Sequence, residues 1–187
     1  VYTNVLIRNW TSFANLGLHR VSCPGSYHHR VMLDYPVSLG DYQCPKQPDE
    51  PIVLHLERVP GRPGRSAREQ FAAGQRELLA TSFEVFERNV RDQLGRMLGD
   101  GGFEPARDIA AITVNRWPHG YAYGYDPGTD RVAFEPAQWP QEKRHWQQGS
   151  QRFGNISIAA TDAASNAMTE SAIEEAYRAV DELSRPK

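Results

Sequence analysis

The chain has 187 residues, 40% hydrophobic and 24% charged, with a formal net charge of −2 at pH 7. That suits one domain or two small ones with a real core, and it gives no general pull toward nucleic acid or an anionic membrane. No apolar run approaches the roughly eighteen residues that a membrane helix needs, and residues 1–20 hold no basic segment followed by an apolar core, so neither a transmembrane segment nor a signal peptide is expected.

Taken in order, Tyr2 to Arg8 reads as a strand by its β-branched and aromatic content, and Trp10, Phe13 and Leu16 continue as a helical or irregular apolar segment. The chain opens Val1-Tyr2-Thr3 without an initiator Met, and a cut N-terminus is the expectation. Residues 22–51 are broken by Pro24-Gly25, Pro36, Gly40, Pro45, Pro48 and Pro51, leaving Arg30 to Asp34 as one short strand. Ile52 to Arg58 alternates cleanly, with Ile52, Leu54 and Leu56 on one face. After the Pro60–Gly64 loop, Ser66-x-x-Glu69 has capping-box spacing for a helix to about Ala80. Thr81-x-x-Glu84 repeats that signal, and Phe83, Phe86, Val90, Leu94 and Met97 then share one helical face until Gly99-Asp100-Gly101-Gly102 stops it. Ile109 to Trp117 returns to strand. Residues 126–152 form a polar excursion with Trp139, Trp146 and one short helix.

The stretch with most chemistry is Phe153-Gly154-Asn155-Ile156-Ser157-Ile158-Ala159-Ala160-Thr161-Asp162-Ala163, read as an alternating strand ending in small residues and one carboxylate. A helix opens within a few residues at Thr169 and carries the apolar stripe Ile173, Ala176, Tyr177, Val180 and Leu183. A carboxylate there can accept hydrogen bonds from a sugar-like hydroxyl, and the helix start attracts phosphate or an electron-rich ring oxygen. An ordinary strand-end cap is the plainer alternative for Asp162. No G-x-G-x-x-G occurs, so only half of a dinucleotide site is expected. Trp117, Tyr121, Tyr123 and Tyr125 cluster around Gly120 and Gly124; they read as a buried aromatic cluster or as a box for an amine, each ring face attracting a cation by roughly 0.5–2 kcal/mol. Glu135 and Glu142 are counter-charges for such a box or ordinary loop acids.

Other groups point less far. Cys23 and Cys44 allow two free thiols or one disulfide. His28-His29 with these cysteines raises a metal site, but adjacent histidines point apart on most backbones and no CxxC or HxxxH occurs, so no metal is expected. Arg58, Arg62, Arg65 and Arg68 surround a Pro/Gly loop without interleaved aromatics, which reads as a solvated loop rather than a nucleic-acid surface. The absence of G-x-S-x-G gives a hydrolase no support.

Three stretches, Phe83-Glu84-Val85-Phe86-Glu87-Arg88-Asn89, Ile112-Thr113-Val114-Asn115-Arg116-Trp117-Pro118-His119-Gly120-Tyr121-Ala122-Tyr123, and Phe153 through Asp162-Ala163 to Tyr177-Arg178-Ala179-Val180, resemble the C-terminal part of the spermidine dehydrogenase group of flavin-dependent amine oxidases. The segment Tyr2 to Pro60 looks similar as well. The resemblance implies an α+β fold: residues 1–150 as a substrate-binding portion, a sheet with covering helices, and residues 151–187 as a strand and helix returning to an FAD-binding domain. It implies FAD as cofactor, with Asp162 and Ala163 near its ribityl hydroxyls and the backbone of Met168, Thr169, Ala172 and Ile173 facing the flavin. Trp117, Tyr121 and Tyr123 would line the amine pocket. The chemistry implied is hydride transfer from the carbon beside an amine nitrogen to flavin N5, followed by imine hydrolysis, with no catalytic side chain assigned. The family also suggests an exported enzyme.

The broad amine oxidase pattern has Gly before the acid and Gly-Ala at the helix start, whereas this chain has Thr161-Asp162 and Ser171-Ala172. Since a lone strand and helix would expose edges and apolar faces, the expected partner is an N-terminal FAD-domain polypeptide or a second copy. The alternative function is a non-catalytic binding or interaction module.

Overall fold

The computed structural model describes residues 1–62, 64–117, 120–122, 140 and 144–185. Alternating apolar residues build the sheet of the first unit, Val1–Pro118. On β1 (Tyr2–Ile7), Thr3, Val5 and Ile7 are fully buried, and on β4 (Ile52–Glu57), Ile52, Leu54 and Leu56 point inward. These strands pair antiparallel with Val5 opposite Leu54 and Ile7 opposite Ile52, so both apolar sets fall on one face. β2 (Arg20–Ser22), β3 (Arg30–Leu33) and β5 (Ile109–Asn115) complete a five-stranded antiparallel sheet of order β2-β3-β4-β1-β5. β2 was not legible in the sequence: its three residues carry no inward apolar pattern and are held only by pairing with β3.

Helices cover the inner face. Between β1 and β2 lies α1 (Thr11–Leu16), whose Phe13 is fully buried. α2 (Ala67–Ala80) starts with the expected capping box, the Glu69 amide bonding the Ser66 hydroxyl while the Glu69 carboxylate accepts from the Ser66 amide. α3 (Phe83–Leu98) buries Phe86, Val90, Leu94 and Leu98 against the sheet, whereas Phe83 is 42% exposed and lies off the expected stripe. Thr81 begins no helix. It ends α2, its hydroxyl donating back to the Glu77 carbonyl at 2.6 Å. A 3₁₀ turn at Gly99–Gly101 and the short α4 (Pro105–Asp108) lead into β5. Gly101 is needed there, since a Cβ would come within 2.6 Å of the Ser12 carbonyl oxygen.

The second unit, His119–Lys187, contains α5 (His145–Gly149), α6 (Thr161–Ala164) and α7 (Thr169–Ser184). Within this unit α5 packs on α6. The architecture is therefore α+β, with seven helices among the described residues. The strand expected over 153–160 does not form. Gly154 at φ +61° turns the chain, Phe153 and Ile156 bond each other's backbone, and no neighbouring strand pairs with the segment among the described residues. Alternation alone cannot make a strand without a ladder partner. Instead Arg178 ties the segment to α7, donating to the Ser150 and Ile158 carbonyls while paired with Glu175 and Glu182. The α7 stripe remains open to solvent among the described residues, Ile173, Tyr177 and Val180 each being more than half exposed.

Candidate functional site

Asp162 stands in the first turn of α6 rather than at a strand end. The chain reaches it through Ala160 at φ 92°, ψ 178°, a backbone region essentially reserved for glycine, and leaves through Ser165 in the left-handed region at φ 52°, ψ 35°. Two bonds close this turn, from the Ser165 amide to the Asp162 carbonyl and from the Asn166 amide to the Thr161 carbonyl. The Asn166 side chain then donates to the buried Ser171 hydroxyl of α7 at 2.8 Å, fixing α6 against the next helix. The backbone thus presents the Asp162 side chain outward, exposed and without a hydrogen-bond or ion-pair partner among the described residues.

A cleft of about 630 Å³ opens here, lined by Gly120, Tyr121, Ala122, Thr161, Asp162 and Ala167. Two expected site residues forty-one positions apart, Tyr121 and Asp162, are thereby brought together. The other lining residues are small or carry a hydroxyl, which lets a ligand approach the backbone. Thr161 and Ala167 were not singled out from the sequence, and the run of small residues around Asp162 was the signal for them. At the following helix start, Met168 caps α7 with extended backbone and no side-chain bond, so the first amides of α7 have no side-chain acceptor there. The cleft can accept hydrogen bonds from hydroxyls at Asp162 and offers an aromatic ring at Tyr121.

The remaining expected residues lie elsewhere. Ala163 is buried and lines a separate cavity of about 360 Å³ with Trp146, Ser150 and Arg178. Met168, Thr169 and Ile173 are exposed, and Ala172 is half-buried. Trp117, 63% exposed, belongs to the first unit. Tyr123, Tyr125, Glu135, Trp139 and Glu142 lie outside the described residues.

Cys23 and Cys44 are both free thiols. His28 is fully buried while His29 faces Glu57 at 3.8 Å, and no group of three or more His, Cys, Asp or Glu side chains among the described residues could hold a metal. Of the arginines around the Pro/Gly loop, Arg58 and Arg62 both grip Glu77, and Arg58 also lies over the Tyr27 ring, 4.1 Å from its centroid. No helix among the described residues is long and apolar enough to cross a membrane. Compared with protein-family models and with curated proteins, the chain finds no match.

Proposed function

We propose that the chain is the C-terminal part of an FAD-dependent amine dehydrogenase of the spermidine type, acting with a polypeptide that carries the remainder of the FAD-binding domain. The observation that carries this reading is the cleft lined, among small residues, by the Tyr121 ring and by Asp162, whose carboxylate has no partner among the described residues. Such an acceptor fits the hydroxyl-bearing portion of FAD. Asp162 would accept from a ribityl hydroxyl, and the α7 start, uncapped by any side chain, would orient an electron-rich edge of the cofactor. Nothing in the 187 residues supplies a Gly-rich pyrophosphate loop, so that part of the cofactor falls to the partner polypeptide. A bound flavin would supply the hydride acceptor for oxidation of the carbon beside an amine nitrogen. The part of this chain is to hold and orient, and the Tyr121 ring would wall the amine site.

The second reading, a non-catalytic interaction module, is favoured by the open apolar stripe of α7. Intact mass and a visible absorption spectrum of the purified material separate the two. Flavin bands with a second polypeptide, bleached on adding spermidine, support the dehydrogenase. In that complex Asp162→Ala should weaken FAD binding by about 10- to 100-fold, the worth of a hydrogen bond to a charged group. A complex of the chain with that polypeptide that stays colourless after added FAD, or an Asp162→Ala complex with unchanged affinity, overturns the proposal.

A further inference from the structure

The loop between β2 and β3 departs from the rule that connections run over the surface. His28, next to its last residue, is fully buried and is held through its backbone, its ring and its neighbour. Its backbone is clamped by one side chain of α3: the His28 amide donates to Gln93 Oε1 at 2.9 Å and the Gln93 amide nitrogen donates to the His28 carbonyl at 2.8 Å. Its ring Nε2 lies 3.2 Å from the hydroxyl of Thr3, itself fully buried on β1. Its neighbour Tyr27 meets both the His28 ring and Phe86 edge to face. Nδ1, by contrast, has no hydrogen-bond partner among the described residues.

A neutral ring suits this setting best with its proton on Nε2, donated to Thr3 Oγ1, because the other tautomer would bury an Nδ1–H with no acceptor among the described residues. Protonation would put a second N–H on Nδ1, a charged donor with no acceptor inside the fold. The charged surroundings make this worse. Arg58 donates to the Tyr27 carbonyl at 2.7 Å, and the Val1 ammonium and the His29 ring also lie on the cationic side. Beyond Tyr27 stand Arg116, over the Phe86 ring, and Glu77. The two nearby carboxylates are taken, Glu57 by Arg30 and Glu77 by Arg58 and Arg62. Among the described residues α3 meets the loop with the neutral Gln93, Phe86 and Met97.

We propose that the loop 23–29 is an acid-released plug: protonation of His28 expels it from between β1 and α3 while the pairing of β1 with β4 persists. Release is local because few bonds hold the loop to the rest of the unit. Apart from the Gln93 clamp, the Thr3 contact, the Arg58 bond, the Tyr27–Phe86 edge and the Cys23 thiol on Met97, its main backbone tie is the His29 amide to the Glu57 carbonyl at the sheet margin. The central strands keep their own ladder and the core of Val5, Leu54, Leu56, Val90 and Leu94.

The test is native-state hydrogen exchange by NMR on the whole chain between pH 8 and pH 5, corrected for intrinsic rates. Burial, reinforced by Arg58, pushes His28 down to about 4 from 6.5, so the ratio of released to seated loop rises about 30-fold at pH 5 relative to pH 8. Protection of the His28 and His29 amides should fall by about that factor, while Val5 and Leu54 amides keep theirs. His28→Gln, neutral at every pH, should lose the effect. Should that variant not fold, the ring-nitrogen titration of His28 in the native chain decides the matter alone. A ring that protonates at pH 6 or above while seated overturns the proposal, as does equal loss of protection at His28, Val5 and Leu54.

Discussion

Replacing Ala160 by glycine should stabilise the second unit, against the usual expectation that glycine loosens a chain. Ala160 sits at φ 92°, ψ 178°, two residues before Asp162. Holding a Cβ in that region costs on the order of 1–3 kcal/mol. Glycine removes the cost but gives the unfolded chain more freedom, worth about 0.5–1 kcal/mol in the opposite direction. The net gain for Ala160→Gly is therefore about 1 kcal/mol. Ala159→Gly is the matched control, because Ala159 has no positive φ to relieve and should lose about 0.5–1 kcal/mol. Urea melts followed by far-UV circular dichroism read both, since the sixteen residues of α7 dominate the helical signal of this unit. Two variants shifting in opposite directions bear out the strain argument. If Ala160→Gly is destabilised as much as Ala159→Gly, no strain is stored beside Asp162, and the idea that the backbone is forced there to present a carboxylate is wrong.

Two further outcomes concern the first unit. Glu77→Ala leaves Arg58, whose side chain is only 19% exposed, without its carboxylate, and should cost about 1–2 kcal/mol in urea unfolding; a shift under about 0.5 kcal/mol would mean that the Tyr27 ring and carbonyl hold Arg58 unaided. Asp108 is 3% exposed and accepts from Arg107, from the Glu104 amide and from Asn9. The Arg107 hydrogen bond, followed by the Glu104 amide, holds its carboxyl below the usual carboxylate range. A depressed value means stability that is present above the unfolded value near 3.8 and lost as pH falls through the folded one. Asp108→Asn should therefore be clearly less stable than the parent at pH 7, with the gap narrowing below pH 4. A gap independent of pH would show that shape, not charge, is what Asn9, Glu104 and Arg107 recognise.

Much of the first unit could be read from local pattern. Alternation at Tyr2–Ile7 and Ile52–Glu57, the Ser66–Glu69 capping box and the Phe86, Val90, Leu94 spacing are signals that a strand or helix carries within itself, and each appears where local physics puts it. Where the reading failed, the missing information lay elsewhere in the chain. Phe153 to Ile158 alternates as well as β1 does, yet it stays a turn and an extended segment, because a strand exists only where another offers its amides and carbonyls. Thr81 matches a helix start by spacing but spends its hydroxyl on the Glu77 carbonyl, since α2 ends one residue earlier.

The same division holds for the candidate site and the buried histidine. The residue types at Tyr121 and Asp162 were open to reading in the sequence, because an aromatic ring and a carboxylate keep their chemistry wherever the chain places them. Their convergence on one cleft was not, since forty-one positions of chain separate them and only the packing of the second unit draws them together. His28, in a segment of Pro, Gly and Ser, had every mark of an exposed loop residue. Gln93, sixty-five positions away, decided otherwise by bonding both its amide and its carbonyl, for a polar backbone can be buried only where some distant group satisfies it.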